Sequence, residues 1–322
     1  MKNKSIIIAY HYVQSTEDKP RMRGLLADYF ERQIKLLLDR GYRIIPLGEY
    51  VNLALADKKA GKVGRDGPAA SAEKTAVLTF DDGLKCHIRT VLPILQKYRV
   101  KGTFFIITRP LAEPWLAPVH QIHLVLASGR PDEIKKEAED WLAKNNESPD
   151  EAAEREIAKK CSAMYPWDDL DTAYVKYLLN MRLAPSTRAS LADHLFSVFC
   201  GDTSVWMDAF YLNKADIRQM RAAGMEIGCH THTHPFLSGM NREEQEREIS
   251  FSQDMLDETL GEKISLFSYP YGLSETFNQD TVDILRARAF RAAVTTEKGY
   301  AADSSDMFRL NRIDANDVEK YA

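Results

Sequence analysis

The chain has 322 residues, 44% hydrophobic and 28% charged, the balance of an ordinary globular protein. A net charge of −4 gives no reason to invoke nucleic acid or an anionic membrane, and the length suits one large α/β domain or two modest ones. The apolar run after Lys4 stops at His11, too short for an export signal or a membrane span, so a cytoplasmic location is expected.

Taken in chain order, short β-rich runs alternate with amphipathic stretches. Strands are expected at Ser5–Tyr10, Tyr42–Pro46, Ala76–Phe80, Gly102–Ile107, Met225–Cys229, Ile264–Tyr269, Ala292–Thr295 and Phe308–Ile313. Several are continuous apolar runs, as strands covered on both faces require. Helices are expected at Ala27–Asp39, Leu47–Asp57 and Ile88–Tyr98, at Lys214–Ala223 before Gly224, and at Arg242–Leu260 before Gly261. The alternation predicts a parallel sheet closed, or nearly closed, into a barrel. Ala60–Lys74, rich in Gly, Ala and Ser, reads as a surface loop. Thr108–Asn213 reads as a helical insertion into a single domain spanning 1–322, with the charged stretch Pro131–Lys160 in its middle. All four tryptophans, Trp115, Trp141, Trp167 and Trp206, fall in it, as core of a small helical subdomain or as a platform for a sugar ring. Cys86, Cys161, Cys200 and Cys229 are scattered with no CxxC spacing, and read as reduced, partly buried thiols. Cys229 adjoins His230 but, on an extended segment, points to the opposite face.

Polar clusters follow four of the strands: His11, Asp81-Asp82-Gly83, His230-Thr-His-Thr-His234 and Tyr269-Pro-Tyr-Gly272. All lie at C-terminal strand ends, where α/β barrels build their active sites. Asp-Asp-Gly alone is also an ordinary turn sequence. Two adjacent carboxylates leaving a strand point in different directions, however, so one can bind a metal while the other meets substrate, and a cation relieves their mutual repulsion. Three imidazoles in five residues point the same way. In a straight strand His230 and His234 lie about 13 Å apart, so the segment must turn after His230 if they share an ion. Spacing alone does not choose which two histidines bind. Three protein ligands with an open position make a catalytic metal site, and a spare carboxylate beside it can take a proton from water.

Thr79-Phe-Asp-Asp-Gly83, His230-Thr-x-x-His234-Pro and Tyr269-Pro-Tyr-Gly272 resemble the first three motifs of the polysaccharide deacetylase family, the NodB homology domain of carbohydrate esterase family 4-like enzymes. The resemblance runs from about Ser5 to Ile313, excluding the insertion. It implies a distorted (β/α)7–8 barrel and metal-dependent removal of acetyl groups from sugars. It further implies Asp81 as general base, Asp82, His230 and His234 as metal ligands with His232 outside them, and the Tyr271 backbone N–H as oxyanion donor. The metal is expected to be a single divalent ion, zinc for preference, with cobalt, nickel, iron and manganese as alternatives.

The departures are specific. Ser268 stands where the family's third motif begins with an Arg that braces the catalytic Asp. The fourth motif's Asp-Trp pair is missing, and no His follows His234 to supply the fifth. Instead Ile8-Ala-Tyr-His11 resembles rearranged members, such as deacetylases of poly-N-acetylglucosamine, whose final strand and its His lie at the N-terminus. His11 is then the catalytic acid, and Arg312 is either the replacement brace or a surface Arg. His87, His120, His123 and His194 receive no role. The sequence therefore predicts a deacetylase of an N-acetylated amino sugar, within a glycan or on a nucleotide- or lipid-linked precursor. Its rivals are a deformylase or other amidase on the same scaffold, and an inactive sugar-binding barrel.

Overall fold

The structure is a computed structural model describing residues 5–18, 22–59, 74–148, 151–164, 168–301 and 306–322. Its main sheet contains β1 (Ile6–Tyr10), β2 (Arg43–Ile44), β3 (Thr75–Phe80), β4 (Thr103–Ile106), β5 (Glu226–Cys229), β6 (Leu266–Ser268), β7 (Ala292–Lys298) and β8 (Leu310–Asp314). Every pairing in it is parallel. β1 pairs on one side with β8, Ile8 opposite Ile313, and on the other with β3, Ile8 opposite Leu78. Seven strands thus close into a ring in the order β1-β8-β7-β6-β5-β4-β3, and β2 branches from the start of β3. This is the α/β barrel read from the sequence, with seven staves.

Side-chain alternation divides the apolar residues between two layers. Ile7, Val77, Phe105, Leu266, Ala292, Val294 and Leu310 form the inner cluster, closed by Leu47, Tyr50 and Val51 of the helix Leu47–Lys59. Ile6, Ile8, Tyr10, Leu78, Phe80, Phe104, Cys229 and Phe267 belong to the outer cluster, packed against helices through Phe30, Ile34, Leu95, Ile249 and Leu256. Gly228 sits on the inner parity because a Cβ there would come within 2.6 Å of the Phe105 ring.

Three expected elements differ in form, one of them the strand expected at Ile264–Tyr269, which shortens to Leu266–Ser268. The strand expected at Tyr42–Pro46 shortens to two residues because Pro46 has no N–H and the helix begins at once, with Leu47 N–H donating to Thr103 Oγ1 at 2.9 Å and Gly48 N–H to Glu226. The helix expected at Ile88–Tyr98 opens as a π turn, His87–Val91, in which Leu92 N–H donates to the His87 carbonyl. Pro93, next in line, can make no such bond and the α-helix resumes over Leu92–Lys97. The helix Arg242–Leu260 is bounded by an Asn241–Glu244 capping box and by Gly261 in the left-handed region, φ 68°.

The chain divides into two compact units, one of residues 1–17, 24–113 and 208–322 and one of 18–23 and 114–207. The first holds the barrel. The second is built of helices, among them Pro118–Ser128, Pro131–Lys144, Leu170–Tyr177 and Pro185–Phe199, around Ile122, Val125, Ile134, Leu142, Leu191 and Leu195. Within it the Trp206 indole N–H donates to the Cys200 carbonyl at 3.1 Å, and Trp141 lies 6.2 Å from the His194 ring. Trp167, and residues 60–73 of the expected Ala60–Lys74 loop, lie outside the described residues. All four cysteines are free thiols. Among the described residues no helix is long and apolar enough to cross a membrane.

Candidate active site

The inner parity of the strands carries three polar side chains to the top of the barrel. His11 continues the Ile7–Ala9 face of β1, Asp81 the Val77–Thr79 face of β3, and His230 the Gly228 face of β5. Asp81, 1% exposed, anchors its N–H on the Tyr10 carbonyl at 2.9 Å. Arg312, equally buried on β8, grips it with both arms, Nη1 to Oδ1 at 3.0 Å and Nη2 to Oδ2 at 2.7 Å. The remaining guanidinium donors reach the Thr295 carbonyl at 2.6 Å, Thr79 Oγ1 at 3.2 Å and Ser268 Oγ at 3.2 Å. Every N–H of the guanidinium is thus engaged, which a fully buried Arg requires. Burial alone would raise the Asp81 pKa, but the charges of Arg312 and His230 and the Arg312 hydrogen bonds outweigh it and hold the carboxyl at about 2. Asp81 is therefore an anion at neutral pH.

Asp82 would leave the strand on the opposite side. Its φ of 79° reverses the chain, with Gly83 at 69°, and brings the second carboxylate back to the same site. The histidine segment also turns, through Thr231 at φ 62° and His234 at 58°. One ligand atom from each of Asp82, His230 and His234 lies within 4.8 Å of the other two. The Nε2 atoms of His230 and His234 are 3.4 and 3.7 Å from Asp82 Oδ1. His230 Nδ1 donates to the Ser268 carbonyl at 2.8 Å, which fixes its tautomer and leaves Nε2 facing the carboxylate. Burial by itself would lower the His230 pKa, but the hydrogen bond to Asp82 and the charges of Asp81 and Asp82 raise it. A buried place that favours positive charge, lined by two imidazoles and a carboxylate, suits a divalent ion in both charge and ligand type. His232 is held elsewhere, its Nδ1 3.1 Å from Thr108 Oγ1 and its ring 5.9 Å from that of Phe251.

His11 is about half exposed, with Nε2 3.9 Å from Asp81 Oδ2. Tyr271 lies across the site, its ring 4.8 Å from that of His234 and 4.1 Å from that of Phe236. Its backbone, at φ 60°, is fixed by Thr296, whose hydroxyl donates to the Tyr271 carbonyl at 2.7 Å and whose N–H donates to the Gly272 carbonyl at 2.9 Å. A Cβ at Gly272 would meet Thr296 N at 2.7 Å, so only glycine fits. Arg99, Asn146 and Ala289 also have positive φ, but each is the second residue past a helix, where a left-handed cap is ordinary. Among the described residues the other four non-glycine cases, Asp82, Thr231, His234 and Tyr271, are at this site. Each costs of order 1–3 kcal/mol and persists only where its surroundings hold it. Cys229 faces the other way, into the outer core beside Ser252, and burial pushes its thiol pKa far up.

Two residues without a sequence-assigned role also bear on the site. His87, fully buried beside Phe80 and Phe104, places Nε2 2.9 Å from the His11 carbonyl; burial pulls its pKa down to about 4, so the ring is neutral and Nε2 is the donor. Glu248 accepts from the loop between His230 and His234. The signal for Glu248 was a charged residue on the same helix face as Gln245, Ile249 and Ser252. His87 carried no comparable signal.

A closed parallel barrel with an Asp–His–His group and a braced second carboxylate at its C-terminal strand ends defines an α/β-barrel protein with a candidate metal centre. The polysaccharide deacetylase family model matches residues 69–161 and 193–293, and the chain belongs to that family. It is 27% identical over 284 residues to "Putative polysaccharide deacetylase YxkH" of Bacillus subtilis (strain 168), covering 88% of this chain and 63% of that one. This chain therefore spans less than two thirds of that relative's length. Among solved structures it is similar to IcaB from Ammonifex degensii, with a TM-score of 0.59 and 17% identity over 99% of this chain and 95% of that one. It is also similar to the Streptococcus pyogenes deacetylase PplD in complex with acetate, with a TM-score of 0.55 and 19% identity over 98% and 92%. At these identities the structural likenesses establish the fold.

Proposed function

We propose that the protein is a metal-dependent hydrolase that removes the acetyl group from an N-acetylated amino sugar of a glycan or glycan precursor. The observation that carries this reading is the convergence of Asp82, His230 and His234 within 4.8 Å beside an Asp81 that Arg312 holds ionised. A divalent ion held by those three side chains, zinc for preference, supplies Lewis acidity toward the acetyl carbonyl and lowers the pKa of water. Asp81 accepts the proton of the attacking water, and its carboxylate keeps its aim because Arg312 fixes both oxygens. The Tyr271 N–H, on a turn set in advance by Thr296, donates to the oxyanion. His11 donates a proton to the departing nitrogen, so one amide and one water become acetate and a free amino sugar. Whether the sugar is free, nucleotide-linked, lipid-linked or polymeric is the variable to screen.

The test pairs metal analysis with acetate release across those four substrate forms. Wild type should hold one divalent ion per chain and release acetate from at least one form. His230→Ala and His234→Ala should lose the metal, and His232→Ala should keep it. Release of formate but not acetate would replace the reading with a deformylase, and a metal-loaded chain that releases neither would leave a binding protein.

A further inference from the structure

We infer that Glu248 is a positioning residue: its carboxylate holds the loop 231–233 in the turn that sets the spacing of His230 and His234, and thereby sets the affinity for the ion. The inference rests on the ligand assignment proposed above. Between the two histidines the hydrogen-bonding groups of the loop are taken up in a divided way. The carbonyls of Thr231 and His232 accept from the N–H groups of Thr108 and Arg109, just past β4, at 3.3 and 3.0 Å. The N–H groups of His232 and Thr233 both donate to Glu248 Oε2, at 3.0 and 2.8 Å. The Thr233 hydroxyl donates to Glu248 Oε1 at 2.7 Å, and His234 N–H donates to Thr231 Oγ1 at 3.0 Å.

Successive N–H groups beside a left-handed residue form a concavity that binds an anion. Here the anion is internal, supplied by the helix Arg242–Leu260, and it is 9% exposed. The loop has two left-handed residues, Thr231 and His234, and such residues hold their conformation only where contacts over-determine it. Thr108 and Arg109 hold the loop's carbonyls and Glu248 its N–H groups. Without Glu248 one side is released, and His234 is no longer held opposite Asp82 at 3.7 Å. The role is geometric. An amide at the same place can accept both N–H bonds through its oxygen and donate its NH2 to the Thr233 hydroxyl, so charge is dispensable.

The experiment is a zinc titration of the full-length chain against a competing chromophoric chelator, with circular dichroism to verify the fold. Glu248→Ala should weaken zinc binding by about 10–100-fold, the usual cost of removing an outer partner of a ligand. Glu248→Gln should bind close to wild type. Thr233→Val, which removes one of the three contacts and leaves the helix untouched, should fall between them. It serves as the decisive variant if Glu248→Ala does not fold. The visible spectrum of the Co²⁺-loaded protein should shift in Glu248→Ala and not in Glu248→Gln, a change that loss of general stability does not produce. Wild-type affinity in Glu248→Ala or in Thr233→Val overturns the inference, as does a Glu248→Gln chain that binds as weakly as Glu248→Ala. A wild type that takes up no zinc or cobalt overturns the ligand assignment, and the inference with it.

Discussion

His11 is held by its main chain and left open at its side chain. His87 pins its carbonyl at 2.9 Å, while the imidazole, about half exposed, stands 3.9 Å from Asp81. That division suits a group that must exchange protons with solvent between turnovers yet return to one position. An amine leaves poorly unless protonated, so the amide reaction needs an acid, and Asp81 as acid would have to serve both faces of the reacting carbon. His11→Ala should therefore keep its metal and lose roughly 10²–10⁴-fold in amide hydrolysis. On an activated ester, whose leaving group needs no proton, the loss should be much smaller. Equal losses on the two substrates would show that His11 positions rather than donates.

Among the elements, β8 supplies the buried guanidinium that braces Asp81. Its five residues place Arg312 inward on the same face as Leu310, with Nη2 donating to Ser268 Oγ on β6 at 3.2 Å. Removing one member of a buried ion pair leaves the other charge stranded, at a cost of about 3–5 kcal/mol. Arg312→Met should lower stability by that order, as read by urea unfolding. Adding Asp81→Asn to it should restore part of the loss, since the stranded charge is then gone. A double variant as unstable as the sum of the two single ones would mean that the pair is not energetically coupled.

The strands themselves were legible because being covered on both faces makes them continuous apolar runs, and the clusters at their ends were legible as chemistry. Arg312 was ambiguous because Leu310 and Ile313 flank it on opposite parities, and only ring closure decides which parity faces in. Glu248 and His87 act on backbone groups 15 or more positions away in sequence, and no local pattern encodes such a partner. The shortness of β2 and the end of the π turn that starts at His87 go with Pro46 and Pro93, whose effect depends on which N–H the neighbouring structure needs.

For the molecule as a whole, His87 links folding to pH. In the folded chain its pKa is about 4 against an ordinary 6.5, so between those values the unfolded chain binds a proton that the folded one does not. Stability from this group is complete above 6.5 and declines as pH falls toward 4, by about 2 kcal/mol at pH 5. His87→Gln, which keeps a donor for the His11 carbonyl and cannot titrate, should lose less stability between pH 7 and pH 5 than wild type. Urea midpoints at the two pH values measure the difference, and parallel declines would assign the pH dependence to other groups.

The ring also sets the order in which the molecule can come into being. β1 cannot complete its hydrogen bonds until β8 has left the ribosome, because Ile8 and Ala9 pair with Ile313 and Asp314. Contacts so distant along the chain are the slowest to form, since the intervening polymer must first be brought to closure. His11 follows the earlier of these two staves, and Arg312 lies on the later one. A chain that has already made Asp81, Asp82, His230 and His234 therefore still lacks the guanidinium that braces Asp81 in the folded barrel. Closing the barrel and bringing Arg312 onto Asp81 are then a single event, and the proposed site is complete only in a chain whose β1 and β8 have met.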